Sequence, residues 1–373
     1  MKNIKFLCLV CYSFLFIFGC SNTFNISATD NKVTVDAREA SSFETVIKKT
    51  KESVVLLSIN PSVDPESNPA QTSMCSGVVV NDIGHIITNY HCVHKQNYIK
   101  LYYYDQEDWE IYEVNVVGLD PLADLALLEV IGKEKPASFL KFANDAEKIQ
   151  EGTEVFALGH PMGMAWTVTK GIISSTERYA RHPYVKALQT DAAINKGNSG
   201  GPLLNMKGEI VGINAMIVSR ISESAGVGLA IRGDVVKKSF KSMKDNGRVD
   251  RPAIGVMVME LASKKQRDDF LKKNPKVKSK YIPNTFGLLI KEDEDIPEGL
   301  KKYDTIIAIN DVMINDSLQF SDEMIKYNIG DTITLTIIRK KKFIKVDVEL
   351  KVYEVPVEAM YKNRNNPMGA PKT

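Results

Sequence analysis

The sequence, 373 residues long, lacks an excess of either charge, with 48 Lys and Arg against 46 Asp and Glu. The resulting net charge of +2 does not favour nucleic acid or another polyanion as a partner. Hydrophobic residues make up 44% of the chain and charged residues 25%. These fractions are typical of globular proteins, and they exclude an intrinsically disordered chain and one that crosses a membrane many times.

Histidine and cysteine are scarce, at five residues each. The few that are present form no cluster with the spacing of metal ligands, and we expect no metal and no organic cofactor. The small number of histidines also leaves few candidates for a general base, the group that accepts a proton from a nucleophile.

An apolar run at the amino terminus, residues 6–18, follows Lys2 and Lys5 and contains no charge. A positive start followed by an apolar run too short to span a bilayer predicts a secretory signal.

The run leads to Cys20, and the sequence IFGC resembles a bacterial lipobox, whose Cys receives the lipid. We therefore expect residues 1–19 to be a lipoprotein signal peptide and residues 20–40 to be a polar tether. The lipid would anchor the exported protein on the periplasmic side of the bacterial cell envelope. A plain secretory signal with an incidental cysteine is the alternative, since Phe18 is bulkier than the small residue usual at its position.

Export also simplifies the use of cysteine. Cys8 and Cys11 leave with the signal and Cys20 carries the lipid, so Cys75 and Cys92 remain. One pair of cysteines in an exported protein suggests a disulfide. Two unpaired, buried thiols are the alternative.

The chain is longer than most single domains, and its pattern changes along its length. Short β-rich runs separated by turn residues fill 54–231, and they predict an all-β barrel or sandwich pair. A polar stretch at 245–252 separates them from a second unit of mixed α+β pattern. We expect a first domain over 41–248, a second over 252–352, and a loosely ordered tail over 353–373.

A short helix is predicted on each side of the β-rich region. Phe43 lies on the apolar face of the first helix, which Ser41 or Ser42 would cap. Asp234 would cap the second helix, and Gly247 would end it.

The segment TDAAINKGNSGGPLLN contains a candidate nucleophile, Ser199, set among glycines. Gly197 and Gly200 permit backbone angles that other residues resist. The main-chain N–H groups of Gly197 and Ser199 can then point at one spot and stabilise an oxyanion. A structural Gly-rich hairpin is the alternative.

A serine hydroxyl needs a neutral imidazole to accept its proton and a carboxylate to orient that imidazole. His91 follows an apolar strand in ITNYHCV, and Asp124 begins one in DPLADLALLEV. The order His, Asp, Ser is that of the chymotrypsin class. The other histidines match no motif, and surface or structural roles are expected for His85, His94, His160 and His182.

Together with GHPMGMAWTVTKGIISS and GVGLAI, these motifs resemble those of the HtrA (Deg) family of exported quality-control serine proteases. The resemblance runs from about Phe43 to Leu350. It implies a mainly β fold of two six-stranded antiparallel barrels, as in trypsin, followed by a small α+β PDZ domain. It also implies a catalytic triad of His91, Asp124 and Ser199, and a homotrimer that Phe43 helps to form.

Three positions depart from the family's motifs. Cys92 replaces an apolar residue, Cys75 replaces a Gly, and His160 stands where Asn or Ser is common. The pair Cys75 and Cys92 is similar in placement to the bridge beside the catalytic His of trypsin-like enzymes.

The resemblance also places a pocket for the residue that precedes the cleaved bond. Its lining would be Ile194, Val218 and Val227, all apolar. We expect no Asp near Ala193 that would select Lys or Arg. Cleavage after small or medium aliphatic residues is predicted.

The second unit resembles a PDZ domain, which binds carboxyl-terminal peptides by strand addition. The carboxylate-binding loop would be Ile254, Gly255 and Val256, within a predicted strand at 254–259, and a helix over 318–327 would flank the groove. A purely structural α+β domain is the alternative.

Arg178 matches an Arg through which the PDZ domain signals to the active-site loops in this family. The sequence as a whole predicts a serine endopeptidase acting on unfolded exported polypeptides and regulated by peptide binding. A holdase that does not depend on cleavage, or a PDZ scaffold lipoprotein, is the alternative.

Overall fold

The computed structural model describes most of the chain between residues 42 and 353. Its described ranges are 42–60, 62, 72–105, 108–131, 138–161, 166–179, 185–217, 226–261, 263–291 and 296–353. The expected signal and tether, Cys20, His182, Val218 and the tail beyond residue 353 lie outside them. Within these ranges, no helix has both the length and the apolar character needed to cross a bilayer.

Six antiparallel strands close a first barrel in the order β1, β2, β3, β6, β5, β4. They are β1 (Val54–Asn60), β2 (Ser73–Val79), β3 (His85–Thr88), β4 (Tyr98–Asp105), β5 (Asp108–Asp120) and β6 (Leu125–Val130). A one-turn helix, α2 (Tyr90–Val93), follows β3. All but one of the residues of β6 are buried, because this strand faces the barrel interior on one side and neighbouring elements on the other.

A second closed barrel has the order β10, β11, β12, β9, β8, β7. Its strands are β7 (Glu154–Gly159), β8 (Thr167–Tyr179), β9 (Lys186–Thr190), β10 (Pro202–Asn205), β11 (Ile210–Ile217) and β12 (Gly228–Arg232). These strands coincide with the predicted β-rich runs. The prediction of two six-stranded barrels is confirmed.

The helix α1 (Phe43–Lys51) precedes the first barrel, and Ser42 caps it by accepting the N–H of Thr45. Phe43 packs edge-to-face on Phe156 of the second barrel, with ring centroids 5.1 Å apart. The helix therefore joins the core that the barrels share.

The helix α3 (Gly233–Asn246) follows β12 and ends at Gly247, whose φ of +72° suits glycine. The prediction that Asp234 caps this helix is wrong. The N-cap residue is Arg232, and Asp234 lies in the first turn, where its carboxylate accepts the Arg232 guanidinium at 2.9 Å. Both carboxylate oxygens of Asp234 accept hydrogen bonds from the Arg232 guanidinium, whereas a capping carboxylate would accept the N–H groups of the first helical turn.

The second unit is built around a six-stranded antiparallel sheet in the order β14, β15, β16, β18, β19, with β17 paired to β16. These strands are β14 (Val258–Glu260), β15 (Leu288–Ile290), β16 (Thr305–Ile309), β17 (Val312–Met313), β18 (Thr332–Arg339) and β19 (Lys342–Glu349). Two short strands, β13 (Pro252–Ala253) and β20 (Lys351–Val352), pair antiparallel and join the beginning of the unit to its end. Two helices, α4 (Lys264–Lys273) and α5 (Ser317–Met324), complete it.

Candidate active site

His91 and Asp124 lie side by side in the first barrel. The Asp124 carboxylate accepts His91 Nδ1–H at 2.7 Å through one oxygen and the His91 main-chain N–H at 2.9 Å through the other. Since a carboxylate only accepts, Nδ1 must carry the imidazole proton, which leaves Nε2 as the acceptor. The arrangement fixes both the position and the tautomer of the His91 imidazole.

The backbone around Asp124 is shaped to hold this pair. Asp124 has a φ of +56°, in the left-handed region, and its side chain is buried. Its carbonyl accepts the Tyr90 N–H at 3.0 Å and the Asn89 side-chain amide at 2.9 Å. A non-Gly residue in this conformation costs of order 1 kcal/mol, and these bonds hold it there.

The turn that contains Ser199 rests on the first barrel. Gly197 and Gly200 have φ of +103° and +84°. A Cβ on Gly200 would lie 2.2 Å from the Ser76 carbonyl oxygen and 2.3 Å from Thr88 Oγ1. Only glycine permits this approach, which seats the turn on the end of β3, just ahead of α2 and its histidine.

A disulfide lies beside the histidine. The structure joins Cys75 of β2 to Cys92 of α2, with Cα atoms 6.2 Å apart. Cys75, Cys92 and His91 are also the one group in the described residues whose ligand atoms lie close enough for a metal, within 4.8 Å of one another. Joined in a disulfide, the two sulfurs offer no thiolate ligand.

Two further residues lie beside the Ser199 turn, and the sequence analysis assigned neither of them to the site. His160 is fully buried at the end of β7, and its main-chain N–H donates to Ser76 Oγ at 2.9 Å. Burial lowers the pKa of His160 to about 4. The replacement of the family's Asn or Ser by His was a usable signal for His160, whereas nothing distinguished Ser76 from other strand serines.

Comparison with known proteins identifies the family. Residues 75–213 match the trypsin-like peptidase domain and residues 252–350 match the PDZ domain. The chain is 32% identical over 306 residues to a probable periplasmic serine endoprotease DegP-like of Chlamydia muridarum, across 80% of this chain and 58% of the relative. It is 32% identical over 287 residues to the periplasmic serine endoprotease DegP of Escherichia coli, across 74% of this chain and 56% of the relative. The chain belongs to the HtrA/Deg family.

Solved structures agree with the assignment. The HtrA-type protease AlgW with decapeptide has a TM-score of 0.67 at 26% identity, covering 84% of this chain and 100% of that one. The serine endoprotease from Yersinia pestis has a TM-score of 0.64 at 28% identity, with 84% and 98% coverage. The chain spans only a little over half the length of the curated relatives it matches.

The expected HtrA specificity pocket lies partly within the described residues. Ile194 is buried, and a Cβ on Gly228 would lie 2.5 Å from its Cγ1. Val227, just before Gly228, is half-buried. Asp191 is close to Ala193 in sequence, contrary to expectation, but its carboxylate accepts the Ile172 N–H of β8 at 2.7 Å.

The expected PDZ carboxylate loop precedes β14. Ile254 is buried, Val256 is half-buried, and Gly255 is exposed with a φ of +70°. The predicted strand over 254–259 is wrong for its first four residues, because the left-handed glycine turns the chain and the strand begins at Val258. β14 pairs on one side with β15 and lies at the edge of its sheet.

Arg178 lies near the end of β8 and is exposed. Its guanidinium donates to Gln189 on β9 at 2.9 Å and to its neighbour's carbonyl, Glu177 O, at 3.1 Å. A contact between the barrels and the PDZ unit lies nearby, where Lys186 at the start of β9 pairs with Asp322 of α5 at 2.8 Å. Arg178 thus lies on β8, the strand next to β9, and β9 contacts the helix of the PDZ unit through Lys186.

Proposed function

We propose that the chain is a serine endopeptidase in which His91, Asp124 and Ser199 form the catalytic triad. The observation that carries the proposal is the His91–Asp124 pair, which lies at the end of the first barrel on which the Ser199 turn is seated. His91 takes the proton of Ser199 Oγ, Ser199 attacks a peptide carbonyl, and Asp124 stabilises the imidazolium that forms. The imidazolium then protonates the leaving amine, and water releases the acyl group.

The negative oxygen of the tetrahedral intermediate would be bound by the main-chain N–H groups of Gly197 and Ser199. Each such donor contributes about 3 kcal/mol to lowering the barrier. No step in this acyl transfer requires a metal or an organic cofactor.

The substrates are proposed to be unfolded exported polypeptides, cleaved after small or medium aliphatic residues in a pocket of Ile194, Val218 and Val227. The burial of Ile194 and the engagement of Asp191 with the backbone of β8 support an apolar pocket. Mapping the cleavage sites in a denatured protein tests this, and a strong preference for Lys or Arg would contradict it.

The PDZ unit is proposed to bind carboxyl-terminal peptides between β14 and α5, with the carboxylate on Ile254, Gly255 and Val256. The edge position of β14 supports strand addition. Binding would favour the active turn through α5 and the strand that carries Arg178. Adding a saturating peptide with a hydrophobic carboxyl terminus should raise turnover, and unchanged turnover would refute the regulation.

The proposed location and assembly rest on the sequence and on the names of the relatives. We propose a peptidase domain over 41–248 and a PDZ domain over 252–352, exported by the signal over 1–19 and anchored in the envelope by lipid on Cys20. The matched relatives are periplasmic by name. A homotrimer is proposed, with Phe43 near its interface.

The decisive experiment compares digestion of casein by the wild-type protein and by Ser199→Ala. Turnover should fall by about 10⁶-fold in the variant. A fluorophosphonate should label the wild type at Ser199 and leave the variant unlabelled. Equal digestion by both proteins would refute the proposal. An absence of digestion and labelling in the wild type would favour a holdase or scaffold.

A further inference from the structure

Ser76, in the middle of β2, contacts the Ser199 turn from the other barrel. Its side chain is fully buried, with 0% exposure. The hydroxyl oxygen lies 2.7 Å from the carbonyl oxygen of Gly197 and 2.9 Å from the main-chain nitrogen of His160. A longer contact, 3.4 Å, joins it to His160 Nδ1.

The direction of these hydrogen bonds can be assigned. A carbonyl oxygen only accepts, so the single hydroxyl hydrogen of Ser76 must point at Gly197. The Ser76 oxygen in turn accepts the N–H of His160. The main-chain N–H of Ser76 donates to the carbonyl of Ser199 at 2.8 Å. One residue therefore holds the carbonyl groups of both Gly197 and Ser199.

These two carbonyls belong to the residues whose N–H groups are the proposed oxyanion donors. The peptide plane after Gly197 is also held at its other end, where the Asn198 N–H donates to Asn195 O at 3.0 Å. The plane after Ser199 is held likewise, by the Gly200 N–H on Asn214 O at 2.9 Å. The donor N–H of Ser199 lies in the plane between the two that Ser76 holds.

We propose that Ser76 is a positioning residue for the oxyanion hole, acting through its hydroxyl on the carbonyl of Gly197. Glycine has no side chain to restrict rotation of the planes beside it, so the plane after Gly197 is held by its hydrogen bonds, and Ser76 supplies the one at the carbonyl end. This inference rests on the proposed function, since it assumes that the N–H groups of Gly197 and Ser199 bind the oxyanion.

The test compares Ser76→Ala with a matched control, Ser53→Ala. Ser53 is also a fully buried serine beside the first barrel, but its hydroxyl bonds Ser138 at 2.9 Å. Rates are measured on a peptide with Val before the cleaved bond and expressed per site titrated with a fluorophosphonate. Only folded, competent molecules are then counted, so a loss of stability alone cannot imitate the effect.

Loss of one oxyanion donor costs on the order of 10²-fold in kcat, so misalignment by Ser76→Ala should lower kcat roughly 10- to 100-fold. KM should stay unchanged, because the ground-state substrate does not use the oxyanion hole. Affinity for a peptide boronate, which forms a tetrahedral adduct on Ser199, should fall by the same factor as kcat. Ser53→Ala should leave all three quantities near wild type.

Two results would overturn the inference. One is a kcat for Ser76→Ala equal to that of Ser53→Ala, and the other is a fall in kcat without a matching fall in boronate affinity. The variant Ser199→Ala distinguishes a failure of the proposed function from a failure of the positioning role. If that variant digests protein normally, the proposed function fails. If it is inactive while Ser76→Ala behaves as Ser53→Ala, the positioning role alone fails.

Discussion

The guanidinium of Arg251 donates two hydrogen bonds, of 2.8 and 2.7 Å, to the carboxylate of Asp120. Arg251 directly precedes β13 of the PDZ unit, and Asp120 ends β5, four residues before Asp124. The same carboxylate accepts the Ser239 hydroxyl and the Ala123 N–H. A single buried anion thus connects the second unit, α3 and the turn that leads to the proposed catalytic Asp.

Replacing Arg251 by Met should destabilise the protein by about 3 kcal/mol, because the fully buried Asp120 would lose its cation. Urea denaturation measures this loss, and adding Asp120→Asn should recover part of it. The control is Arg248→Met, which breaks an exposed pair with Asp250 and should cost less than about 1 kcal/mol. Equal effects of the two single substitutions would contradict the assignment.

Replacing Asp124 by Asn should lower kcat by about 10⁴-fold while the protein stays folded, because an amide at this position favours the wrong imidazole tautomer. Steady-state kinetics with a circular-dichroism check of folding measures this. Asp191→Asn provides the control, since its carboxylate accepts a main-chain N–H of β8, and kcat should change little. Similar kinetics in the two variants would argue against a role for Asp124.

The stability of the folded protein should depend on His160 in mildly acid solution. Burial lowers its pKa from 6.5 to about 4, so the unfolded chain takes up a proton across this window before the folded protein does. The stabilisation present above pH 6.5 should therefore decline by up to about 3 kcal/mol as the pH falls to 4. Urea denaturation at several pH values should show this decline relative to His160→Asn. A difference between the two proteins that does not vary with pH would rule it out.

Reduction of the Cys75–Cys92 bridge should lower the free energy of unfolding by about 3 kcal/mol, since its sequence separation of 17 closes a loop of moderate length. Thermal unfolding with and without dithiothreitol measures the effect. The double variant Cys75→Ala, Cys92→Ala should not respond to the reductant. If the wild type also fails to respond, the bridge either does not form or does not stabilise.

The fold was predictable because its local signals agree with its tertiary packing. The β-rich runs became strands. Ser42 begins its helix through a hydroxyl that accepts a helix N–H, and Gly247 ends its helix through a left-handed backbone conformation. Asp234 is the exception. Capping rules describe one residue and one helix end, and they could not include the competing guanidinium of Arg232.

The site was predictable only where a motif named it. His91 and Asp124 were predicted as site residues from their local sequences, and the structure places their side chains 2.7 Å apart. The predicted surface or structural role of His160 did not specify that its side chain would be buried. Ser76 has no local sequence pattern that would mark it. The contacts of Ser76 with His160 and with Gly197 join residues more than 80 positions apart in the sequence, so they depend on how the two barrels pack together.

The proposed base and the proposed nucleophile are supplied by different barrels, and the second barrel is completed by strands late in the peptidase domain. A chain that has emerged only as far as β9 therefore contains His91 and Asp124 but still lacks Ser199. Proteolytic competence would arise all at once, when the last strands dock, so a chain still in transit would need no removable inhibitory segment to protect its surroundings.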